Sequence, residues 1–340
     1  MPAPSDVDRP FLSIVIPLFN EEENIVPLIG EIEAALPSIP GGCEVILVDD
    51  GSRDSSWERI AAAASERPWL RALRFLGNRG QTAAMVAGID AARGTLVAFL
   101  DADLQNDPRD IARLVEPIAA GRADLVCGWR THRADNPLLR TLPSRIANLL
   151  IRKSFDLQVH DLGCTLKVCR RAFLEEIQLY GEMHRFIPCY AQAQGARVTE
   201  VEVNHRPRTR GESKYGLSRV GKVLVDLATA KMLSSYGSKP AYFFGKIGLA
   251  FLTMATAAFA LVAWRALVLG RAQATPMIFV TVMLFMTALV CFMSGLLAEI
   301  SIRVLHQAGG ARAYKVVERV GFDAEPARNV VVLQPPASQS

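Results

Sequence analysis

Residues 96–108 read LVAFLDADLQNDP, and this stretch changes from apolar to acidic within a few positions. Its apolar half predicts a buried strand, which ends at two carboxylates, Asp101 and Asp103. Because side chains alternate across a strand, residues two apart lie on the same side, and these carboxylates can approach one point. Pro108 suits the first turn of a helix, with Asp107 placed as its N-cap. The stretch therefore predicts a strand, an acidic turn and a helix.

Two carboxylates held this close repel each other unless a cation or a proton lies between them. Their oxygen atoms suit Mg²⁺ or Mn²⁺, and Mg²⁺ commonly binds one or two carboxylates together with substrate phosphates. We therefore expect a metal–diphosphate site at Asp101 and Asp103. A single Asp-Xaa-Asp triplet is also typical of a solvated turn that caps a helix, so the rest of the chain has to decide between these interpretations.

The surrounding chain alternates between short β-rich runs and helical patterns, which predicts an α/β fold with a mostly parallel sheet flanked by helices. The predicted strands are residues 12–17, 44–48, 70–75, 96–100 and 125–128, and helices are predicted at residues 24–36, 57–65 and 81–92. Polar residues and glycines follow each strand. Ligands bind beyond the carboxyl ends of such strands, so these clusters predict one shared site. No Gly-x-Gly-x-x-Gly follows the first strand, which disfavours a dinucleotide-binding fold.

The pattern after the fifth strand is less regular. Residues 138–155 predict one or two amphipathic helices, which either lie on an anionic membrane surface or pack on the sheet. Residues 197–204 alternate like a strand, and residues 205–216 form a basic segment that contains glycines. Residues 314–320 and 330–333 predict a short hairpin near the end of the chain.

Hydrophobicity is concentrated late in the chain, which has 340 residues, 50% of them hydrophobic, and a net charge of +4. Arg265 is the only charged residue in the range 247–268, and residues 272–298 carry no charge. Each run is long enough to cross a bilayer, whereas soluble helices of this length usually keep a polar face. Lysines and arginines outside the pair outnumber those in the loop between them, which predicts cytoplasmic ends. The mild basic charge does not indicate nucleic-acid binding.

These patterns predict five regions. They are a disordered N-terminus (1–10), a cytosolic α/β domain (11–230), a juxtamembrane segment (231–246), two transmembrane helices (247–302) and a cytosolic tail (303–340). We expect a multi-pass protein of the inner membrane with the α/β domain and both termini in the cytoplasm. The polar N-terminus predicts no cleavable signal peptide, and the six cysteines have no zinc-like spacing and are expected to be reduced thiols.

The motifs at the strand ends resemble those of the family 2 glycosyltransferases with the GT-A fold. The segments that carry the resemblance are Pro17-Leu18-Phe19-Asn20-Glu21, Asp49-Asp50-Gly51-Ser52, Asn78-Arg79-Gly80, Asp101-Ala102-Asp103-Leu104-Gln105, Asp107-Pro108 and Gly211-Glu212-Ser213-Lys214-Tyr215. Within the family the chain is most similar to polyprenyl-phosphate glycosyltransferases, the group that includes dolichol-phosphate mannose synthase and bacterial undecaprenyl-phosphate glucosyl- and aminoarabinosyltransferases. The resemblance covers about residues 11–305. The sequence lacks the Gln-x-x-Arg-Trp signature of processive polysaccharide synthases.

The resemblance implies inverting transfer of a single sugar from a UDP- or GDP-linked donor to the phosphate of polyprenyl (undecaprenyl) phosphate, with Mg²⁺ or Mn²⁺ as cofactor. The product would serve as a lipid-linked sugar donor for the cell envelope. Related enzymes also lead us to expect association of subunits into a homo-oligomer. A phosphate acceptor is already ionised near neutral pH, since its second pKa is about 6, so no strong general base is needed.

The resemblance also implies roles for individual residues. Those expected around the nucleobase and ribose are Pro17, Asn20, Glu21, Asp49 and Asp50, and those expected in the sugar-nucleotide cleft are Gly80 and Gln81. The expected metal site consists of Asp101 and Asp103, with Gln105 close by. The residues assigned to the acceptor phosphate and to the loop that closes over the substrates are Arg130, Arg133, Arg206, Arg208, Ser213 and Lys214. Those expected to act in the reaction itself are Asp103, Asp161, Arg130 and Arg206.

Three expectations remain open between two roles. Asp161 either acts as a base or orients the acceptor, and His184 and Arg185 either line the acceptor site or, for His184, pack in the core. The basic segment either closes over the substrates or makes a plain electrostatic contact with anionic lipid. Two other functions are also considered, namely transfer to a diacylglycerol or ceramide hydroxyl, and a non-catalytic membrane scaffold that binds nucleotide sugars.

Overall fold

A computed structural model describes residues 10–131, 157, 159–175, 177, 179, 183–207, 240–269, 275–307 and 314–322. The chain divides into two compact units. The first contains the described residues up to 207 together with residues 314–322, and the second contains residues 240–269 and 275–307. The expected helices at residues 138–155 and the second arm of the expected hairpin, residues 330–333, lie outside the described residues.

The first unit is built around an eight-stranded sheet in the order β7-β5-β6-β4-β1-β2-β3-β8. Its strands are β1 (Leu12–Leu18), β2 (Cys43–Asp49), β3 (Leu70–Phe75), β4 (Leu96–Phe99), β5 (Leu125–Trp129), β6 (Lys167–Arg170), β7 (Val198–Glu202) and β8 (Val316–Val320). Its helices are α1 (Glu22–Ala35), α2 (Ser56–Glu66), α3 (Gln81–Ala91), α4 (Asp110–Ala119), α5 (Arg171–Glu175) and α6 (Ile187–Ala193). Short 3₁₀ turns span Leu36–Ser38 and Met183–Phe186.

The sheet confirms the predicted α/β class, and it departs from a parallel arrangement at two strands. β6 was not identified in the sequence analysis, whereas β8 falls within residues 314–320, which were expected to form the first arm of a hairpin. β1, β2, β3 and β4 run parallel to one another, as do β5 and β7. β6 lies antiparallel between β4 and β5, and β8 lies antiparallel against β3 at the sheet edge. All five predicted strands therefore point their carboxyl ends in the same direction.

The helix that follows the Asp-Xaa-Asp triplet begins at Asp110, two positions later than the predicted start at Pro108. The carboxylate of Asp107 accepts a hydrogen bond from the amide of Arg109 at 3.0 Å, which closes a tight turn over the proline. Asp107 thus stabilises the turn that leads into α4 rather than capping a helix that starts at Pro108.

The two faces of β1 show why the sheet is buried on both sides. Ile14 and Ile16 point into a hydrophobic core shared with α1, α2 and α4. Val15 points to the opposite face, where a Cβ added to Gly88 of α3 would lie 2.2 Å from its Cγ1. Only a glycine lets α3 approach the sheet this closely. A strand buried on both faces reads as a continuous apolar run, which is why this element was predictable.

The second unit consists of two long helices, α7 (Pro240–Leu269) and α8 (Thr275–Gln307), which pack on each other. Ala255 and Ala288 are buried where the helices meet, while Phe259 and Phe279 are 61% and 67% exposed. The segments Phe243–Val268 and Pro276–Ala298 are long and apolar enough to cross a membrane, and only 11% of each is buried. Core helices of a soluble protein are mostly buried. The low burial therefore disagrees with that alternative and agrees with the predicted pair of membrane spans.

A buried ion pair lies within the sheet of the first unit, between the neighbouring strands β2 and β3. Arg71 Nη1 lies 2.6 Å from Glu44 Oε2, and both side chains are less than a tenth exposed. Ser13 and the amide of Arg93 donate to the other carboxylate oxygen, each at 2.6 Å. Both oxygens of the Glu44 carboxylate therefore accept hydrogen bonds in a buried part of the sheet.

Replacing Glu44 by glutamine should destabilise the first unit strongly, because the carboxylate that balances the buried Arg71 guanidinium is lost. We expect a loss of about 3 kcal/mol. The measurement is urea unfolding of the detergent-solubilised full chain, followed by tryptophan fluorescence. The matched control is Glu33→Gln, which removes an exposed partner of Arg67 at 3.4 Å and should cost less than about 1 kcal/mol. Equal losses for the two variants would contradict the interpretation.

Candidate active site

The loops that follow β1 and β2 are tied to each other at the carboxyl edge of the sheet. The amide of Asp50 donates to the carbonyl oxygen of Leu18 at 2.9 Å. The amide of Asn20 donates to Ser52 Oγ at 2.9 Å, and Asn20 Oδ1 accepts from the amide of Arg53 at 2.9 Å. Because each loop both donates hydrogen bonds to the other and accepts them from it, the residues predicted to bind the sugar-nucleotide form one surface.

Helix α1 begins against the same pair of loops. The amide of Glu21 donates to Ser56 Oγ at 3.0 Å, and Glu21 Oε2 accepts from Asn24 Nδ2 at 2.6 Å. Pro17, which was also predicted to lie near the nucleobase, is buried within β1. Glu21 is thus fixed at the entrance to α1 by the start of α2, and a contact between Pro17 and a nucleobase stays a prediction.

The carboxylate of Asp50 is held by the backbone of the loop between β3 and α3. It accepts from the amides of Arg79 and Gly80 at 2.6 and 2.8 Å. Burial raises the pKa of Asp50, and these two amides oppose that rise. Gly51, the next residue, has a φ of +74°, and a Cβ there would lie 2.6 Å from the Cα of Gly77. Glycine is therefore required where the two loops touch.

Asp49 faces a different partner. Its side chain is fully buried, Oδ1 accepts from the amide of Ser52 at 2.9 Å, and Oδ2 lies 3.6 Å from Arg74 Nε. Burial raises the pKa of Asp49, while the Ser52 hydrogen bonds and Arg74 lower it. These contacts place Asp49 under the loop, where it holds the backbone that carries Asp50. A direct contact between Asp49 and a substrate stays a prediction.

Among the described residues, two other than glycine have left-handed backbone conformations: Asn20 in the loop after β1, with φ of 54°, and Leu104 in the acidic turn after β4, with φ of 62°. This conformation is uncommon for leucine and costs about 1–3 kcal/mol unless the surroundings impose it. Leu104 follows Asp103 directly, so the strain lies within the predicted metal loop. Strain of this kind is concentrated at functional sites.

Asp101 and Asp103 lie at the end of β4, beside the start of α3. Gln81 Nε2 donates to Asp101 Oδ1 at 2.9 Å, and the amide of Gln105 donates to Asp103 Oδ1 at 3.2 Å. The structure therefore brings the predicted cleft residue Gln81 directly to the predicted metal carboxylates. The amide of Gly80, which precedes Gln81, is bonded to Asp50, so the donor loops and the acidic turn form one continuous site.

The electrostatic surroundings of Asp101 fit a divalent cation. Burial, and after it the charge of Asp103, raise the pKa of Asp101 to about 6, although Arg130 and Lys167 lower it. No group of three or more His, Cys, Asp or Glu side chains is arranged to hold a metal ion within the described part of the chain. Two carboxylates are nevertheless enough for Mg²⁺ or Mn²⁺ when diphosphate oxygens complete the coordination.

Arg130, at the end of β5, is locked by Asp161. Its Nε and Nη2 lie 2.7 and 3.1 Å from Oδ2 and Oδ1, so the pair is bidentate. Asp161 is buried, and a hydrogen bond from the amide of Gly163 at 3.2 Å adds to its support. Burial lowers the pKa of Arg130, but the bond to Asp161 outweighs this and leaves the pKa above its usual value. The sequence singled out both residues but not their pairing.

His184 and Arg185 lie in the 3₁₀ turn before α6. His184 is buried, and its Nδ1 lies 2.7 Å from Thr82 Oγ1 in α3, which agrees with the expected packing role. The remaining acceptor residues of the sequence prediction lie outside the described residues: Arg133, Arg208, Ser213 and Lys214.

Comparison with known proteins adds the family. Residues 13–178 match the family described as Glycosyl transferase family 2. The chain is 39% identical over 309 residues to the dodecaprenyl-phosphate galacturonate synthase of Rhizobium johnstonii, and the alignment covers 90% of this chain and 91% of that one. The chain belongs to glycosyl transferase family 2. This glycosyltransferase is also 42% identical over 220 residues to the undecaprenyl-phosphate 4-deoxy-4-formamido-L-arabinose transferase of Pseudomonas paraeruginosa, over 64% of each chain.

Solved structures agree on the fold. Glucosyl-3-phosphoglycerate synthase from Mycobacterium tuberculosis, in complex with phosphoglyceric acid, has a TM-score of 0.51 and 20% identity, and the match covers 67% of this glycosyltransferase and 80% of that chain. The same enzyme in complex with Mg²⁺ and uridine diphosphate also has a TM-score of 0.51, with 20% identity over 67% of this chain and 79% of that one. The GT-A-like architecture expected from the sequence is thereby confirmed.

The glycosyltransferase has one buried cation near its acidic turn that the sequence analysis missed. Lys167 in β6 is 3% exposed, and its Nζ donates to the carbonyl oxygens of Cys164 and Leu162. It is one of the groups that lower the pKa of Asp101. β6 has only four residues, with a cation at each end, so no hydrophobic pattern identified the strand or this lysine.

Arg206 is held by two carboxylates of the glycosyltransferase domain. Its Nη1 lies 2.7 Å from Glu31 Oε1, and its Nη2 lies 2.8 Å from Asp107 Oδ2. Its amide donates to the carbonyl oxygen of Gln105 at 2.9 Å, which ties the chain to the acidic turn. Burial raises the pKa of Asp107, but bonds from Arg109 and Arg206 lower it to about 2. In this arrangement Arg206 anchors the start of the basic segment, and its contact with an acceptor stays a prediction.

A double-mutant cycle on Glu31 and Arg206 should separate anchoring from phosphate binding. If Arg206 acts as an anchor, Glu31→Gln and Arg206→Gln lower kcat/KM in parallel, and the double variant is no worse than Arg206→Gln. Both side chains are 34% exposed, so we expect a coupling of about 1 kcal/mol, or about five-fold in rate.

The readout of the cycle is sugar transfer to a lipid acceptor by the full chain, and Glu33→Gln on the same helix serves as the control. An unchanged or raised rate for Glu31→Gln, combined with a large loss for Arg206→Gln, would instead favour a direct role of Arg206 on the acceptor.

Proposed function

We propose that this glycosyltransferase moves a single sugar, with inversion at the anomeric carbon, from a UDP- or GDP-linked donor to the phosphate of a polyprenyl phosphate. The observation that carries the proposal is the 39% identity to dodecaprenyl-phosphate galacturonate synthase over nine tenths of both chains, a range that includes the two apolar helices. An enzyme that uses a water-insoluble acceptor needs its catalytic domain close to a membrane.

The donor side of the proposal rests on the surface formed by Asn20, Glu21 and Asp50. The carboxylate of Asp50 is held by two backbone amides and that of Glu21 by the Asn24 side chain, so both have fixed positions and can select ribose hydroxyls or base N–H groups without reorganising. The start of α3 at Gln81 adds the N–H groups of a first helical turn, which favour an anionic diphosphate, and Gly80 fixes its position through Asp50. We propose that these loops bind the nucleotide part of the donor.

The metal side rests on Asp101 and Asp103, with Gln105 near them. Mg²⁺ or Mn²⁺ bound there would neutralise the negative charge of the departing nucleoside diphosphate. The Mycobacterium synthase with a related fold was crystallised with Mg²⁺ and uridine diphosphate, which is in keeping with this assignment. In this chain, Gln81 orients Asp101, and the strained turn at Leu104 fixes Asp103 relative to it.

The acceptor side rests on Arg130. A phosphate oxygen is ionised near neutral pH and needs positioning and charge balance more than deprotonation. Arg130 supplies a positive charge beside Asp101, and its bidentate bond to Asp161 fixes the orientation of the guanidinium plane. Because both oxygens of Asp161 are engaged by Arg130, we propose that Asp161 orients the acceptor rather than acting as a base. This favours a phosphate acceptor over a diacylglycerol or ceramide hydroxyl.

The direct test supplies the purified full chain with Mg²⁺ or Mn²⁺, a panel of UDP- and GDP-sugars, and either undecaprenyl phosphate or diacylglycerol. Mass spectrometry of the lipid fraction identifies the product. We expect a polyprenyl monophosphate sugar from one donor and no product with diacylglycerol. Transfer to diacylglycerol alone would overturn the acceptor assignment. Donor binding without transfer to either lipid would support a scaffold.

Replacing Asp103 by asparagine should lower turnover by about 100-fold, because one of two charged ligands for the diphosphate-bound cation is lost. The same mass-spectrometric assay measures the rate, and unchanged unfolding in urea checks that the variant is folded. Glu66→Gln, an exposed side chain at the end of α2, is the control and should keep the wild-type rate. Full turnover by the asparagine variant would show that the metal assignment is wrong.

We further propose that the protein lies in the inner membrane with its catalytic domain and both termini in the cytoplasm. Fusing alkaline phosphatase, which is active only outside the cytoplasm, to the loop at residues 270–274 should give an active reporter. A fusion after residue 322 should be inactive. The reverse pattern would contradict the orientation, which rests on the excess of lysines and arginines outside the two helices.

A further inference from the structure

β8 comes from a part of the chain that lies beyond both apolar helices, yet it completes the sheet of the catalytic domain. It pairs with β3, and Arg74 lies opposite Glu318. The strand is fixed at its start by a stacked pair, Phe75 and Tyr314, with ring centroids 5.1 Å apart. The amide of Leu76 also donates to the carbonyl oxygen of Lys315 at 3.1 Å. A covalently distant segment is thus held firmly beside the donor loops.

Glu318 uses its two carboxylate oxygens on two different elements. Oε1 accepts from Arg74 Nη1 at 2.8 Å, and Oε2 accepts from the indole N–H of Trp57 at 2.8 Å. Trp57 is buried in the first turn of α2, and Arg74 lies near the end of β3. The Glu318 side chain therefore connects β3 to the first turn of α2, the helix that follows the Asp49–Asp50 loop.

Arg74 passes this connection on to the proposed donor site. Its Nε lies 3.6 Å from Oδ2 of the fully buried Asp49. Asp49 in turn accepts from the amide of Ser52 at 2.9 Å, and Ser52 Oγ accepts from the amide of Asn20 at 2.9 Å. A continuous series of polar contacts thus leads from β8 to the loops proposed to bind the nucleotide.

The charges explain why Glu318 matters to that series. Asp49 is adjacent to Asp50, and the charge of Asp49 raises the pKa of Asp50. Arg74 is the cation that offsets Asp49, and its side chain is only 26% exposed. Without Glu318, Arg74 would lose its best hydrogen bond and would be free to leave Asp49. Both the position and the charge balance of the donor loop therefore depend on this carboxylate.

We propose that Glu318 is a positioning residue for nucleotide binding, so that the segment after the second apolar helix sets the affinity of the enzyme for its donor. The inference rests on the proposed function, because it takes the Asp50 loops as the nucleotide site. Glu318 itself touches neither donor nor acceptor in this account. It acts through Trp57 and Arg74.

The test compares full-length variants in detergent by calorimetric titration with UDP and with GDP, each in the presence of Mg²⁺. We expect Glu318→Gln to weaken binding of the preferred nucleotide about five-fold, because an ion pair between partly exposed groups is removed. Trp57→Phe removes the indole N–H together with part of a buried ring, so its unfolding in urea is measured alongside, and it should weaken binding by a smaller factor. Once the donor is identified, donor KM should rise with kcat unchanged. Glu58→Gln, an exposed carboxylate on α2, should bind like the wild type.

The outcomes separate this inference from the proposed function. If Asp50→Asn abolishes nucleotide binding while Glu318→Gln leaves it unchanged, the positioning role is wrong and the donor site stands. If Asp50→Asn leaves binding unchanged, or the wild type binds neither nucleotide, the donor-site assignment fails and the inference fails with it. A Glu318→Gln variant that unfolds at lower urea concentration but binds with wild-type affinity has lost stability only, which also overturns the proposal.

Discussion

The accumulation of carboxylates at one edge of the sheet is the constraint on which the rest of the structure depends. Asp49 and Asp50 end β2, and Asp101 and Asp103 follow β4, so their charges meet at the same end of a parallel sheet. Burial raises the pKa of Asp49, Asp50 and Asp101, and a neighbouring carboxylate adds to the rise. All four carboxylates are met by donors: backbone amides for Asp50, Arg74 for Asp49, Gln81 for Asp101 and the amide of Gln105 for Asp103.

The two strands that break the parallel pattern contribute to this charge balance. β6 enters antiparallel between β4 and β5 and brings Lys167 close to the acidic turn. β8 adds antiparallel to the other edge and brings Glu318 to Arg74. A sheet made only of βα units has no strand at either place. The irregular part of the topology therefore serves the site, while the regular part supplies the carboxylates.

Local sequence patterns explain which parts of the fold and of the candidate site could be predicted. β1 to β5 are apolar runs that end in polar residues, and the motifs predicted to bind donor and metal follow them directly, so the fold class and the convergence of these motifs at one edge of the sheet could be predicted. β6 has four residues and cations at both ends, so it gives no local signal. β8 was expected as the first arm of a hairpin, but two long helices separate it from β3, so its place in the main sheet could not be predicted. The Arg206–Glu31 pair joins residues 175 positions apart, and only the fold brings them together.

Arg130 and Arg206 are the two predicted acceptor arginines that lie within the described residues. Their carboxylate partners restrict how each of them could bind an acceptor phosphate. A guanidinium has five N–H donors. Arg130 binds Asp161 through Nε and Nη2, which lie along one edge of the planar guanidinium. Its Nη1 therefore remains to bind a phosphate. Arg206 spends Nη1 on Glu31 and Nη2 on Asp107, which engages both ends of its fork. Carboxylates therefore occupy both Nη groups of Arg206, whereas Nη1 of Arg130 has no carboxylate partner among the described residues. A phosphate that approaches this Nη1 does not compete with a carboxylate for it, which supports the proposal that Arg130 binds the acceptor and that Arg206 anchors the basic segment that follows it.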